Sequence, residues 1–423
     1  MAKNLEQALK QAQDRTQDID LLKSALSINS ITGQESRFAE FLASELKALG
    51  LSTDTGEFLE DRLNVWAATP EASEKNLMIV GHTDTVHVRG WEDFWGDDPR
   101  SNPFAGVEQN GEIWGRGASD LKGGICAAIA GLRLLQSAGF EPENRLTFAF
   151  IGDEESGEPG TGVSAGAKDL VKRIGTGEIA KPDFAVYVEP SNLDVFTAQI
   201  GFFIADVTVT GKTAYFGTPE IGVDALKATH ELIARLWAHE AELAEGPTHE
   251  LLGPSSLLIT HLEAGGFIAV PGESKFSLIR KLRPGEQLDD AVASFESALK
   301  LQDLPEGISV DVSYPAGRDH PNGGSPVEIS RDTEAALLLQ DCVQAFRPDC
   351  GAFAGAPFWS EMPFLTDQVG CPTVYFAPGD IAVAHTFEER IDIEDYLAAV
   401  RSFALFIARY CGVKPKEKTP TEE

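Results

Sequence analysis

Apolar residues follow two rhythms along this chain, and the rhythm changes near residue 200. From about residue 5 to 50, Leu21, Leu22, Ala25 and Leu26, then Phe38, Phe41, Leu42, Leu46 and Leu49, recur at helical spacing and predict helices. Residues 63–68 and 76–80 read as strands. The run from 121 to about 138 is apolar along one helical face, and 146–151 is again a strand. Strand, helix, strand is the rhythm of a parallel sheet covered by helices.

Beyond residue 200 the pattern differs. GFFIADVTVTG alternates like a half-buried strand, and VDALKATHELIARLWAHEAELA reads as a long amphipathic helix. SSLLITHLEAG and SKFSLIRKL follow as strands, then a helix over about 288–301, and VDVSYPAG closes the block. This is the ferredoxin-like order, a layer of helices on an antiparallel sheet. The expected organisation is an α/β domain with a mixed, mostly parallel sheet, made of 1–198 and 317–423. An α+β domain at 199–316 interrupts it. A helix over 333–346, a strand over 373–376 and a helix over 393–410 return to the first domain, and the tail KPKEKTPTEE is expected to be disordered.

The bulk numbers narrow the function classes. At 423 residues, two domains are expected. No run of eighteen apolar residues predicts a membrane span, and the charged N-terminus lacks an apolar signal core. Five cysteines without a CxxC spacing fit a reduced, cytoplasmic chain. The net charge of -31 argues against nucleic acid or an anionic membrane as partner.

Candidate chemistry sits where strand-like runs end. LMIVGHTDTV ends on His82 and Asp84, LTFAFIGDEESGE on Glu154 and Glu155, FAVYVEP on Glu189, and TVYFAPGDIAVAH on His385. In open α/β sheets, ligands gather outside the carboxyl ends of the strands, so these residues predict one site assembled from distant sequence. Two divalent cations about 3.5–4 Å apart need a bridging carboxylate, terminal imidazole and carboxylate ligands, and a bridging water. Asp120, opening a helix after a glycine-rich turn, is the natural bridge. Glu154 and Glu155 offer one base and one ligand. Asp84, two residues past His82, is expected to accept the second imidazole N–H and fix the tautomer.

The segments GHTDTV, GRGASDLKGG, GDEESG, YVEPSN and APGDIAVAHTFEE, in this order, resemble the M20 metallopeptidase family over nearly the whole chain. The resemblance implies a zinc-peptidase-like catalytic domain with an inserted lid and dimerisation domain. It implies two divalent metal ions, zinc, with cobalt or manganese suiting similar ligands. His82 and Glu189 would hold the first, Glu155 and His385 the second, and Asp120 would bridge. Glu154 would be the general base, Arg280 of IRKLRPGE would bind a substrate carboxylate, and Gly379, in the turn 377–380, would line the substrate cleft. The implied activity is hydrolysis of the amide bond of a small N-acyl amino acid, closest to the acetylornithine deacetylase branch, with a homodimer formed through the lid. A metallo-dipeptidase or carboxypeptidase, or a catalytically weak ligand-binding relative, stays open. Two positions depart from the family. GKTAYFG carries Tyr215 where members usually have a histidine that polarises the scissile carbonyl, and Ile268 stands where members often have asparagine.

Overall fold

Four short strands made almost wholly of buried residues form the centre of the first domain. Arg145–Ile151, Asn76–His82, Phe184–Tyr187 and Thr373–Tyr375 lie side by side in that order, all parallel. Leu77, Met78, Ile79, Val80, Phe148 and Val186 are apolar on both faces because helices cover both sides, as parallel sheets require. Beyond Arg145–Ile151 the sheet continues antiparallel through Arg62–Ala68 to Ser52–Leu59. The polar sequence STDTGE of that outer strand carries no apolar alternation, which is why the pattern did not reveal it.

The computed structural model describes residues 2–70, 73, 75–156, 158 and 160–416. It divides into two units: the described residues of Met1–Thr197, Ile329–Ala354 and Phe364–Glu423, and a second of Ala198–Glu328 with Gly355–Pro363. In the first unit, helices Ala2–Ala12, Arg15–Leu26 and Ser36–Ala48 occupy the predicted helical region, burying Leu22, Leu26, Phe38, Leu42 and Leu46. Helices Lys122–Ser137 and Ile393–Cys411 pack on each other and are buried on most sides. Residues Val413–Pro415 pair with Phe140–Pro142, so the start of the expected disordered tail is a strand; 417–423 lie outside the described residues.

The second unit runs strand Gly201–Thr210, helix Ala225–Ala244, strands Ser256–Ala264 and Glu273–Leu282, helix Leu288–Leu299, strand Ser309–Ser313. Its strands are antiparallel, in the order 256–264, 273–282, 201–210, 309–313. Phe203, Ala205, Val207 and Val209 alternate onto one face, against Leu232, Leu236 and Phe295 of the helices. This unit runs on past residue 316, because Gly323–Gly324 pairs with the start of Gly201–Thr210 and Trp359 meets Phe202 edge-on at 5.7 Å.

Candidate metal centre

Parallel neighbours end on the same side, so the four central strands deliver their following residues together. His82 closes Asn76–His82, Glu154 and Glu155 follow Arg145–Ile151, Glu189 follows Phe184–Tyr187, and His385 lies on the loop after Thr373–Tyr375. Asp120 arrives from elsewhere, in the turn before helix Lys122–Ser137. That helix can start here because residue 124 is glycine: a Cβ there would lie 2.4 Å from the Val188 carbonyl oxygen.

Asp120 is shared between two groups. Its Oδ1 lies 3.1 Å from His82 Nε2, which also stands 3.7 Å from Glu189 Oε1. Its Oδ2 lies 3.2 Å from His385 Nε2, which in turn is 2.9 Å from Glu155 Oε1. Ligand atoms of His82, Asp120 and Glu189 lie within 4.8 Å of one another, as do those of Asp120, Glu155 and His385, and those of His82, Glu154 and Glu155. Imidazole and carboxylate donors of this kind fit zinc, cobalt or manganese, and two sets joined by one carboxylate fit a pair of cations.

The electrostatics point the same way. Burial opposes a charge on His82, yet Asp120, Glu189 and Glu154 raise its pKa well above the ordinary imidazole value. Burial likewise opposes charge on His385, but Asp120 and Glu155 lift it to about 11. Burial would push Asp120 up, and the two imidazoles hold it far below the usual carboxylate range instead. Burial, then the Asp120 charge, raises Glu155. The carboxylates therefore favour positive charge at this place, as protons on the imidazoles or as metal cations instead of them.

The Asp84 carboxylate lies apart from the imidazole nitrogen it was expected to accept from. The His82 Nδ1 partner is the Asp84 backbone carbonyl at 2.9 Å, while the carboxylate is 3.9 Å away. That buried carboxylate instead accepts hydrogen bonds from Glu154 N (3.2 Å), Glu155 N (2.9 Å) and the Thr32 hydroxyl (3.0 Å). It holds the GDEE turn rather than the imidazole.

Arg280 lies on the buried face of its strand. Along Glu273–Leu282, the even positions Phe276, Leu278 and Leu282 face the core, and the two-residue period of a strand puts Arg280 with them. Its side chain is 2% exposed and donates to Glu286 Oε1 at 2.9 Å and to the Lys281 carbonyl. Gly379 does come to the Asp120 turn: at φ +102, it approaches so closely that a Cβ would lie 2.6 Å from Ser119 Oγ. Tyr215, in the second unit, is 61% exposed on the short ribbon Ala214–Tyr215 and Ala269–Val270, with its ring 4.6 Å from that of Phe216. Ile268, at φ +53, is exposed beside that ribbon.

Sequence reasoning missed two groups. Asp153 accepts from the backbone N–H groups of Gly162, Val163 and Ala165 and pairs with buried Arg62, bracing the GDEE turn from behind. Glu389 accepts from three backbone N–H groups around Asp120. Nothing local separates Glu389 from its exposed neighbour Glu388; only the fold does.

Residues 78–409 match the model of peptidase family M20/M25/M40. The chain belongs to this family. Among its relatives, a succinyl-diaminopimelate desuccinylase of Maricaulis maris is 26% identical, over 90% of this chain and 93% of that protein. An acetylornithine deacetylase of Myxococcus xanthus is 26% identical, over 88% and 92%. The M20 family metallo-carboxypeptidase Sso-CP2 of Sulfolobus solfataricus has the same fold, with a TM-score of 0.73 at 16% identity, over 93% of this chain and 99% of that one. Membership of M20/M25/M40 makes this protein a metal-dependent hydrolase of amide bonds. Among the described residues, no helix is long and apolar enough to cross a membrane.

Proposed function

We propose that this M20 enzyme hydrolyses the amide bond of a small N-acyl amino acid or related amide at a dinuclear divalent-metal centre. The observation that carries this reading is the sharing of Asp120 between a His82–Glu189 group and a Glu155–His385 group. His82, Asp120 and Glu189 would hold one ion, and Asp120, Glu155 and His385 the other. Such ions supply Lewis-acid polarisation of a carbonyl and acidify a bound water. Glu154 is the general base: its carboxylate takes the proton of the attacking water and gives it to the departing amine nitrogen. Its backbone N–H is tied to Asp84, which fixes the turn that carries Glu154. Deacetylation or desuccinylation, the reactions in the names of the two relatives above, is the form that suits a small acyl group. The all-thiol state of the five cysteines supports a cytoplasmic setting.

One observation favours a second reading of the substrate. Arg280 donates to Glu286 and Ile268 offers no amide, which supports a substrate that needs no carboxylate contact from either. An amide lacking an α-carboxylate would then be the preferred substrate. The test is hydrolysis of a panel of N-acyl amino acids, dipeptides and N-acyl amines by zinc- or cobalt-loaded protein. Turnover abolished by chelator supports the amidohydrolase reading, and preference for acyl amines favours the second substrate class. Protein that binds no metal ends the proposal. Glu154→Gln is expected to lower kcat by roughly 10²–10⁴ while the metal content stays at the parent value; an unchanged kcat would remove Glu154 from the base role.

A further inference from the structure

Glu389 is fully buried, and one of its oxygens is the meeting point of the turn that carries Asp120. Its Oε1 accepts hydrogen bonds from Gly117 N (3.0 Å), Ser119 N (3.1 Å) and Asp120 N (3.0 Å). Its Oε2 pairs with Arg116 Nη1, and its backbone carbonyl accepts from Gly115 N at 3.1 Å. Arg116 is itself 2% exposed, and its other nitrogen donates to the carbonyls of Thr386 (3.3 Å) and His87 (3.5 Å). Converging backbone N–H groups form an anion-accepting hollow, and here a side chain of the same protein fills it.

The chain positions give this arrangement a consequence for the site. Glu389 lies four residues beyond His385, and the turn it gathers ends on Asp120, whose two oxygens face His82 and His385. One carboxylate thus ties the segment bearing His385 to the backbone nitrogen of the shared ligand. Arg116 closes the loop by holding Thr386, the residue after His385.

We infer that Glu389 is a positioning residue that sets where Asp120 stands between His82 and His385, and so sets the affinity of the centre for its metal ions. The inference rests on the dinuclear reading above. A neutral amide at 389 would oppose an N–H donor either to Arg116 or to the three backbone N–H groups, so the turn could not keep its present form. Partners of this kind behind metal ligands typically alter metal affinity 10–100-fold.

The test compares full-length parent and Glu389→Gln by three measurements: zinc affinity in competition with a chromophoric chelator, the visible absorption of the cobalt form, and thermal unfolding of metal-free protein. The expected result is a roughly 10–100-fold loss of zinc affinity and an altered cobalt spectrum. Turnover should recover when excess metal is added, with KM unchanged. A lower unfolding temperature with parental zinc affinity and cobalt spectrum would make Glu389 merely structural and overturn the inference. Should Glu389→Gln fail to fold, Glu389→Asp keeps the negative charge but withdraws the carboxylate by one methylene from the three N–H groups. A several-fold affinity loss is expected there, and parental affinity would equally overturn the inference. A parent protein that binds no metal refutes the dinuclear reading itself, whereas a metal-binding parent with an unaffected variant refutes only the role of Glu389.

Discussion

Replacing Asp84 by asparagine separates two roles that a carboxylate beside a metal-binding histidine can have. Its Oδ2 accepts from Glu155 N and Thr32 Oγ1, and its Oδ1 from Glu154 N. The amide keeps two of these three bonds by placing its oxygen at the Oδ2 position. Its NH₂ then faces Glu154 N, donor against donor, in a site only 1% exposed. Losing a charge-assisted bond and leaving a buried N–H unpaired costs about 2–5 kcal/mol. Burial raises the Asp84 pKa, with His82 and the Glu155 N–H acting against it, so the neutral amide recovers part of that cost. The expected net loss is about 1–3 kcal/mol of stability. Because the Asp84 carbonyl, not the carboxylate, holds His82 Nδ1, zinc affinity should change by less than about threefold, while kcat falls roughly 10–100-fold through displacement of Glu154. Urea unfolding, chelator competition and steady-state kinetics measure the three quantities. A variant with parental stability and a tenfold or greater loss of zinc affinity would show that the carboxylate works through the imidazole, and would refute this account.

Two further outcomes follow from the charges of the two units. The neighbouring carboxylates raise the pKa of His82 and lift that of His385 to about 11, which favours protonated imidazoles in metal-free protein. Metal binding must displace those protons, so affinity should rise with pH across roughly 6 to 9, by about one decade per unit for each imidazole displaced. Calorimetric titration in buffers of different ionisation heat measures the released protons, and a pH-independent affinity would contradict the arrangement. Replacing Arg280 by methionine removes the partner of Glu286, which still accepts from Ser255 and from Arg283 N. The second unit should lose about 2 kcal/mol of stability with KM unchanged. A tenfold rise in KM for carboxylate substrates at parental stability would instead place Arg280 in substrate binding.

The sequence by itself determined the family, the α/β character and the residues that meet at the centre. Apolar runs long enough to span a strand, each followed by a histidine or carboxylate, can put those residues in only one place once the strands are parallel. The alternating block after residue 200 likewise determined its strand and helix order, because a two-residue period states which positions pack. That same period was already in the sequence for Arg280, beside Phe276 and Leu278, but the face buried by helices became known only from the fold. The tertiary structure alone decided the hydrogen-bond partners. Asp84 could have bound His82 or the GDEE turn, and which it binds depends on the approach of a strand end 70 residues away. Glu388 and Glu389 are the same residue type side by side, and only the path of the Asp120 turn buries one and leaves the other in solvent. A local pattern encodes which face of an element is apolar; hydrogen bonds between distant loops depend on where both loops end, and no short window holds that information.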